Sequence, residues 1–129
     1  MCSSDLVGDS WGGNLARVDT KTLEVSFVPL PGMQQPYHAA IDSKHNVWTN
    51  AWMTDQVLRY DPAANHWTTF DLPTRGTEIR ITSLLERGNE LKLVFAYART
   101  SKVAVMAVRS EAEMAALKAQ VAPNNRATQ

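Results

Sequence analysis

Apolar and polar residues alternate along most of this chain in short bursts, and polar turn residues break each burst after a few positions. A period of two over so short a run is the mark of a half-buried β-strand. Laying the segment Asn14–Pro31 on Gln56–Pro73 shows that the bursts recur. Arg17 meets Arg59, Asp19 meets Asp61, Val25 meets Trp67, Val28 meets Phe70, Leu30 meets Leu72 and Pro31 meets Pro73, each pair 42 residues apart without a gap. Each copy reads as a strand ending in Arg-x-Asp, a polar turn, a second strand and a Leu-Pro stop. An Asp that opens a turn can accept hydrogen bonds from the backbone of that turn, and Pro62 presets φ for the second copy. The pattern therefore predicts a β-hairpin, twice.

After each Leu-Pro a second hairpin is expected. In the first unit the polar run Asp42–Asn46 separates Ala39–Ile41 from Val47–Trp48, and in the second Arg87–Asn89 separates Ile81–Leu85 from Leu91–Phe95. A third unit is expected to begin at Ser101–Val108, which repeats the apolar spacing of Asp55–Asp61. Four antiparallel strands recurring every ~40–45 residues is the spacing of β-propeller blades. A sandwich also has short strands and regular turns, but it does not require a repeat in register. The expected fold is all-β, a partial β-propeller with between two and three four-stranded antiparallel blades over residues 7–109. Propellers close with about four to eight blades, so these blades leave a ring unclosed.

The chain ends differently. Ser110–Glu113 has the S-x-x-E form of a capping box, and Met114, Leu117 and Val121 then share one helical face before Pro123. A short helix over residues 110–122 and a disordered tail over 123–129 are expected, the helix serving as a lid or an appendage without function of its own. At the other end, Met1–Leu6 reads as the translation of a common sequencing adapter. Residues 1–6 are accordingly expected to be an assembly scar from a metagenomic sequence that joins in mid-blade near Val7, and Cys2, the only cysteine, then carries no redox meaning.

Composition narrows the classes. With 129 residues, 44% apolar and 20% charged, the chain is globular and fits one ordinary domain. Thirteen basic and thirteen acidic side chains cancel, which removes the basic excess that nucleic acid or an anionic membrane rewards. No window is long and apolar enough for a spanning helix. There is no Gly-rich phosphate loop, because Gly12-Gly13 lacks the Lys and the helix such a loop feeds. No two histidines have metal-ligand spacing, and Asp19, Asp42, Asp55, Asp61 and Asp71 recur with turns instead of clustering.

The segment Gln35–Pro73, with its Ala-Ile-Asp, Asn-Val-Trp and Leu-Arg-Tyr-Asp-Pro runs, resembles a blade of the streptogramin lyase (virginiamycin B lyase) family of β-propellers. Ser10–Pro31 resembles the second half of the preceding blade, and the likeness fades through Val108. The resemblance implies the C-terminal blades of such a propeller. It further implies a Mg²⁺ held by glutamates that polarises an ester, a His acting as general base in a C–O elimination, and a periplasmic or secreted location. The family's Glu-Pro-His signature and its second Glu fall here on Gln35, Tyr37 and Trp52 or its neighbour. Gln offers a neutral carbonyl where Mg²⁺ prefers charge, and Tyr, with an ordinary pKa of about 10, is a poor base near neutrality. His38 stands one place along, but adjacent strand residues point to opposite faces, so it is a weak catalytic candidate.

Trp11, Gln35, Tyr37, His38, Asn50, Trp52 and Arg80 come from segments that enter the innermost strands or the channel loops of a propeller, and they are the expected ligand-binding set. Aromatic faces beside one His and one Arg suit a planar or sugar-like ligand, through stacking and charge-assisted hydrogen bonds. Trp48 and Trp67 fit blade packing, and His45 and His66 fit solvated turns. No metal site and no cofactor is expected in this segment. The expected function is a scaffold that binds a small molecule, a glycan or a protein at the channel face and that also contacts the remaining blades of its own propeller. The alternative is part of a Mg²⁺-dependent C–O lyase or lactone hydrolase whose active site lies on other blades.

Overall fold

The computed structural model describes residues 4–121. Ten strands and one helix follow in order: β1 (Ser4–Asp9), β2 (Asn14–Asp19), β3 (Val25–Pro29), β4 (Pro36–Ile41), β5 (Val47–Ala51), β6 (Gln56–Asp61), β7 (His66–Asp71), β8 (Ile79–Arg87), β9 (Glu90–Tyr97), β10 (Lys102–Val108) and α1 (Glu111–Val121). They form three antiparallel sheets, β1-β2-β3, β4-β5-β6-β7 and β8-β9-β10. The four-stranded middle sheet coincides with the segment that resembles a propeller blade, and the flanking sheets hold three strands each.

Two groupings differ from those expected. Each Leu-Pro stop ends a sheet instead of joining two hairpins of one unit: β3 closes the first sheet, and β4 opens the second. Proline has no N–H to extend a ladder, so Pro31 and Pro73 are natural points for the chain to cross over. Lys102–Val108 does not open a third unit but forms the third strand of the third sheet, the counterpart of β6. Its spacing was legible because β2, β6 and β10 all follow the same kind of turn. The residue just before each strand, Gly13, Asp55 or Ser101, has φ of 68°, 56° or 53°, the left-handed geometry of a short hairpin loop. At the first of these turns a side chain would also be crowded, since a Cβ on Gly13 would lie 3.2 Å from the Gln34 carbonyl oxygen.

The turns at the opposite ends of the strands are built by aspartates. Asp19 Oδ1 accepts from the backbone N–H of Lys21 and Thr22 at 2.8 and 3.0 Å, and Asp61 Oδ1 accepts from Ala63 and Ala64 at 2.9 and 3.1 Å. These bonds hold the Asp19 carboxyl below the usual carboxylate range, the one from Thr22 most strongly. The repeat is therefore physical as well as textual.

Two apolar clusters join the sheets face to face. Leu15 and Leu30 pack against Val47, Ala51 and Leu58 between the first and second sheets. Trp48, Val57 and Leu72 pack against Ile79, Leu93, Phe95 and Tyr97 between the second and third. Leu6 lies on β1 beside the first cluster. Ser110 caps α1 as expected, donating its backbone N–H to Glu113 Oε2 at 2.7 Å. Its hydroxyl completes the box by accepting from the Glu113 N–H at 3.3 Å. Over residues 111–120 the helix is exposed apart from a half-buried Leu117, so it projects from the third sheet as an appendage. Residue 122 and the expected tail 123–129 lie outside the described residues.

Candidate functional site

Strand direction decides which residues can meet. The turns 10–13, 52–55 and 98–101 and the loops 30–35 and 72–78 all fall at one end of the sheets, the loop end. The first strands of the second and third sheets, β4 and β8, lie against each other, and β1 lies on the other side of β4.

Both first strands are bulged at the same place. Pairing of β4 with β5 slips between Pro36 and Ala39, and pairing of β8 with β9 slips between Ile79 and Thr82. The residues inside these irregularities are Tyr37-His38 and Arg80-Ile81. A bulge turns a strand locally and re-aims the side chain it carries. Here the two bulges bring Tyr37 and Arg80, from neighbouring sheets, onto one residue. The Tyr37 ring stacks on Trp52 with centroids 5.6 Å apart and planes 16° from parallel, and the Arg80 guanidinium lies 5.5 Å from the Trp52 ring centroid. Glu78 lies between two guanidinium groups, forming an ion pair with Arg80 at 4.0 Å and accepting from Arg99 at 3.4 Å.

Buried polar bonds fix the platform under the stack. Asn50, fully buried, accepts the His38 backbone N–H at 3.1 Å and donates to the Ile79 carbonyl, so one amide holds both bulges. Thr49 Oγ1 donates to the His38 carbonyl at 2.8 Å. Asp55 Oδ1 accepts the Thr77 N–H and hydroxyl at 2.7 and 2.6 Å, while its Oδ2 accepts the Gly76 N–H at 2.8 Å. Burial opposes ionisation of Asp55, but the Thr77 and Gly76 bonds and the nearby Arg75 charge outweigh it and hold the carboxyl below its usual range.

The sequence-derived set divides accordingly. Tyr37, Trp52 and Arg80 converge. Gln35 adjoins them, its carbonyl accepting the Trp52 N–H at 3.2 Å. His38 is half-buried, its backbone is engaged on both sides, and its Nδ1 is buried with no hydrogen-bond partner among the described residues. Asn50 is at the right place but is structural, with no surface left for a ligand. Trp11 is on the same end in the β1–β2 turn and is 93% exposed. Sequence reasoning missed Glu78, Arg99 and the paired bulges.

The opposite end is braced by carboxylates as well. A cavity of about 420 Å³ opens there between the second and third sheets. Its Asp42 carboxylate accepts the buried Trp48 indole N–H at 2.9 Å and the Asn46 backbone N–H at 2.8 Å. Its Glu86 accepts from the Ser43 N–H and hydroxyl, both at 3.0 Å. Burial raises the Asp42 pKa, but the Trp48, Asn46 and Lys44 hydrogen bonds overcome that and leave it below the ordinary value.

Three solved structures share this architecture. The chain aligns with a streptogramin B lyase structure at TM-score 0.60 and 17% identity, covering 83% of this chain and 41% of that one. It aligns with a catalytically inactive virginiamycin B lyase from Staphylococcus aureus with quinupristin at TM-score 0.67 and 12% identity, covering 84% and 38%. Selenomethionine-substituted virginiamycin B lyase from the same organism gives TM-score 0.60 and 11% identity over 82% and 39%. The fold is that of a streptogramin lyase-like β-propeller. The chain spans about two fifths of the length of those lyases. No protein-family model matches the sequence, and no curated protein matches it.

The Mg²⁺ that the sequence resemblance implies can be weighed against the residues present. Among the described residues no three His, Cys, Asp or Glu side chains are grouped to hold a metal ion. At the loop end Asp55 is bonded to Thr77 and Gly76, and Glu78 is shared by two guanidinium groups. Gln35, Tyr37 and Trp52 supply no carboxylate. This set does not fit a hard dication, which needs several charged or carbonyl oxygens facing one point.

Proposed function

We propose that this segment of a streptogramin lyase-like propeller is a binding module, and that its loop end recognises a ligand carrying a planar group and a negative charge. The observation that carries the reading is the convergence of Tyr37 and Arg80, each from a bulge at the same register of adjacent sheets, on Trp52. Stacked aromatics offer a flat apolar surface, and a guanidinium beside them offers paired donors to a carboxylate. Buried bonds of Asn50, Thr49 and Asp55 hold this surface in place before any ligand arrives, which lowers the ordering cost of binding. Tyr37 is stacked, and the His38 Nδ1 is enclosed.

The test is a titration of the chain with indole-3-acetate, followed by tryptophan fluorescence and by amide shifts. Saturable binding that Arg80→Gln weakens about tenfold supports the reading, in line with the 1.5–3 kcal/mol of a hydrogen bond to a charged group. Unsaturable or Arg80-independent change rejects it.

A second reading has support in the likeness to virginiamycin B lyase, whose structure includes quinupristin. In it, this chain belongs to a Mg²⁺-dependent C–O lyase or lactone hydrolase whose reacting groups sit on other blades. Ring opening of a streptogramin by the protein with Mg²⁺, abolished by EDTA, would establish that reading over the first.

A further inference from the structure

The cavity of about 420 Å³ at the end opposite the stack falls in the range of small-molecule sites, ~300–1,000 Å³. One wall is the β4–β5 turn of the second sheet, and the other is the β8–β9 turn of the third with the start of α1 beside it. The Glu86 bonds to Ser43 tie the two walls together. Arg59 also lines the cavity, its guanidinium carbon 5.9 Å from the Trp48 ring centroid. Its Nη2 donates to Thr68 Oγ1 at 3.2 Å, but its Nε is buried with no hydrogen-bond partner among the described residues. A guanidinium has five N–H donors and no acceptor, and a buried donor without an acceptor is costly. The repeat sets this site apart. Arg17, 42 residues earlier, lines the corresponding recess between the first and second sheets, but there its neighbours include Leu6, Val28, Val47 and Tyr60 around only about 230 Å³. A polar cavity is therefore not what the blade repeat produces by itself.

We infer that this cavity binds a neutral polyhydroxyl ligand, a pyranose or a cyclitol, at a site separate from the loop end. Two observations choose this class. The charges nearly balance: Asp42, Glu86, Glu90 and Glu113 share the lining with Lys44, Arg59 and Arg109. A charged ligand meets its own sign there whichever sign it carries. Hydrogen-bonding capacity is also left over in both senses. Asp42 is filled by Lys44, Asn46 and Trp48, whereas Glu113 takes both Ser110 bonds on Oε2, which leaves Oε1 without a donor among the described residues. Lys44 has no ion pair among those residues, and Arg59 keeps its unpartnered Nε–H. A hydroxyl has one donor and two acceptor lone pairs, so adjacent hydroxyls on one ring can accept from the cations and donate to the carboxylate. The Asp42 and Glu86 bonds fix the walls beforehand, which lowers the ordering cost of binding.

The experiment titrates the ¹⁵N-labelled chain with methyl glucopyranoside, methyl galactopyranoside and myo-inositol, and with glucuronate and glucosamine as charged counterparts. The Trp48 indole N–H, which donates to Asp42, reports the cavity, and the Trp11 and Trp52 indoles report the loop end. At least one neutral compound should shift the Trp48 indole saturably and leave Trp11 and Trp52 in place, with an affinity insensitive to salt. Arg59→Met removes the donors and keeps most of the stem, and it should weaken that binding about tenfold. If this variant loses the native amide spectrum, Lys44→Ala decides instead, at an exposed position, with a loss of about threefold expected. The inference is overturned if no neutral compound moves the Trp48 indole, or if the shifts fall on Trp11 or Trp52. Unchanged affinity in the deciding variant also overturns it, as does tighter binding of glucuronate or glucosamine than of every neutral compound.

Discussion

The two faces of the third sheet teach opposite lessons from the same kind of residue. Its inner face closes on the second sheet, and there Leu93 and Ile79 are wholly buried with Val57 across from them. Its outer face carries Leu85, Val103 and Val105 in the open. The repeat makes the contrast quantitative: Leu15, Val57 and Val103 occupy the same position on β2, β6 and β10, yet the first two are 0% exposed and the third is 73% exposed. Side-chain chemistry is nearly constant across the three. What differs is whether a neighbouring sheet covers it, and that is the property on which propeller stability depends, since each blade buries its face only on the next.

The largest effect should come from placing a charge at the repeated position. Val57→Asp puts an unpaired carboxylate between the second and third sheets and should abolish the cooperative thermal transition. Val103→Asp should change stability by no more than about 0.5 kcal/mol, as surface substitutions do. Two melting curves followed by circular dichroism decide it, and equal damage from both would mean that the outer face of β10 is covered in solution. Next in size is Trp48→Ala, which removes the largest fully buried side chain of this interface and leaves Asp42 without its indole donor. A loss of about 3–5 kcal/mol in urea unfolding is expected, the range for deleting a core aromatic.

Acid should weaken the covered interface more than the open face. Asp42 and Asp55 both have carboxyl pKa values lowered in the folded chain by hydrogen bonds that outweigh burial. A depressed pKa gives stability that is fully present above the unfolded value, about 3.9 for Asp, and that is lost as pH falls through the folded value. The midpoint of unfolding should hold steady from neutrality to about pH 5 and then fall. Asp42→Asn should start lower and fall less steeply. A parallel fall in variant and parent would show that Asp42 does not contribute to the acid response.

Much of this fold was legible because the repeat is written in turn chemistry. Asp19 and Asp61 were readable as turn openers, Ser110–Glu113 as a cap, and Trp48 as packing, since each follows from local geometry. The grouping of strands into sheets was not legible, because a hairpin looks the same whether its neighbour in sequence joins its sheet or starts another. The site was half legible. Tyr37, Trp52 and Arg80 were singled out as residues near a channel, but their convergence depends on two bulges, and a bulge leaves no mark in composition. Asn50 was misassigned as ligand-facing because an amide reads alike whether it points to solvent or, as here, holds two backbones together.

The smallest effect probes whether the contrast between covered and open regions extends to the turns. Gly13, Asp55 and Ser101 hold the same left-handed position before β2, β6 and β10. A non-glycine residue there costs roughly 1–2 kcal/mol in backbone strain. Asp55 offsets that cost through the Thr77 and Gly76 bonds, which tie the turn to the loop before β8. Ser101 is exposed, so replacing it removes little packing. Ser101→Gly should therefore raise stability by up to about 1 kcal/mol, a few degrees in melting temperature. Asp55→Gly, which relieves the same strain, should lower stability because buried donors lose their acceptor. Opposite signs for one substitution at equivalent turns would show that the middle sheet is fastened to its neighbour by its turn as well as by its apolar face. A gain in both variants would assign the fastening to the apolar cluster alone.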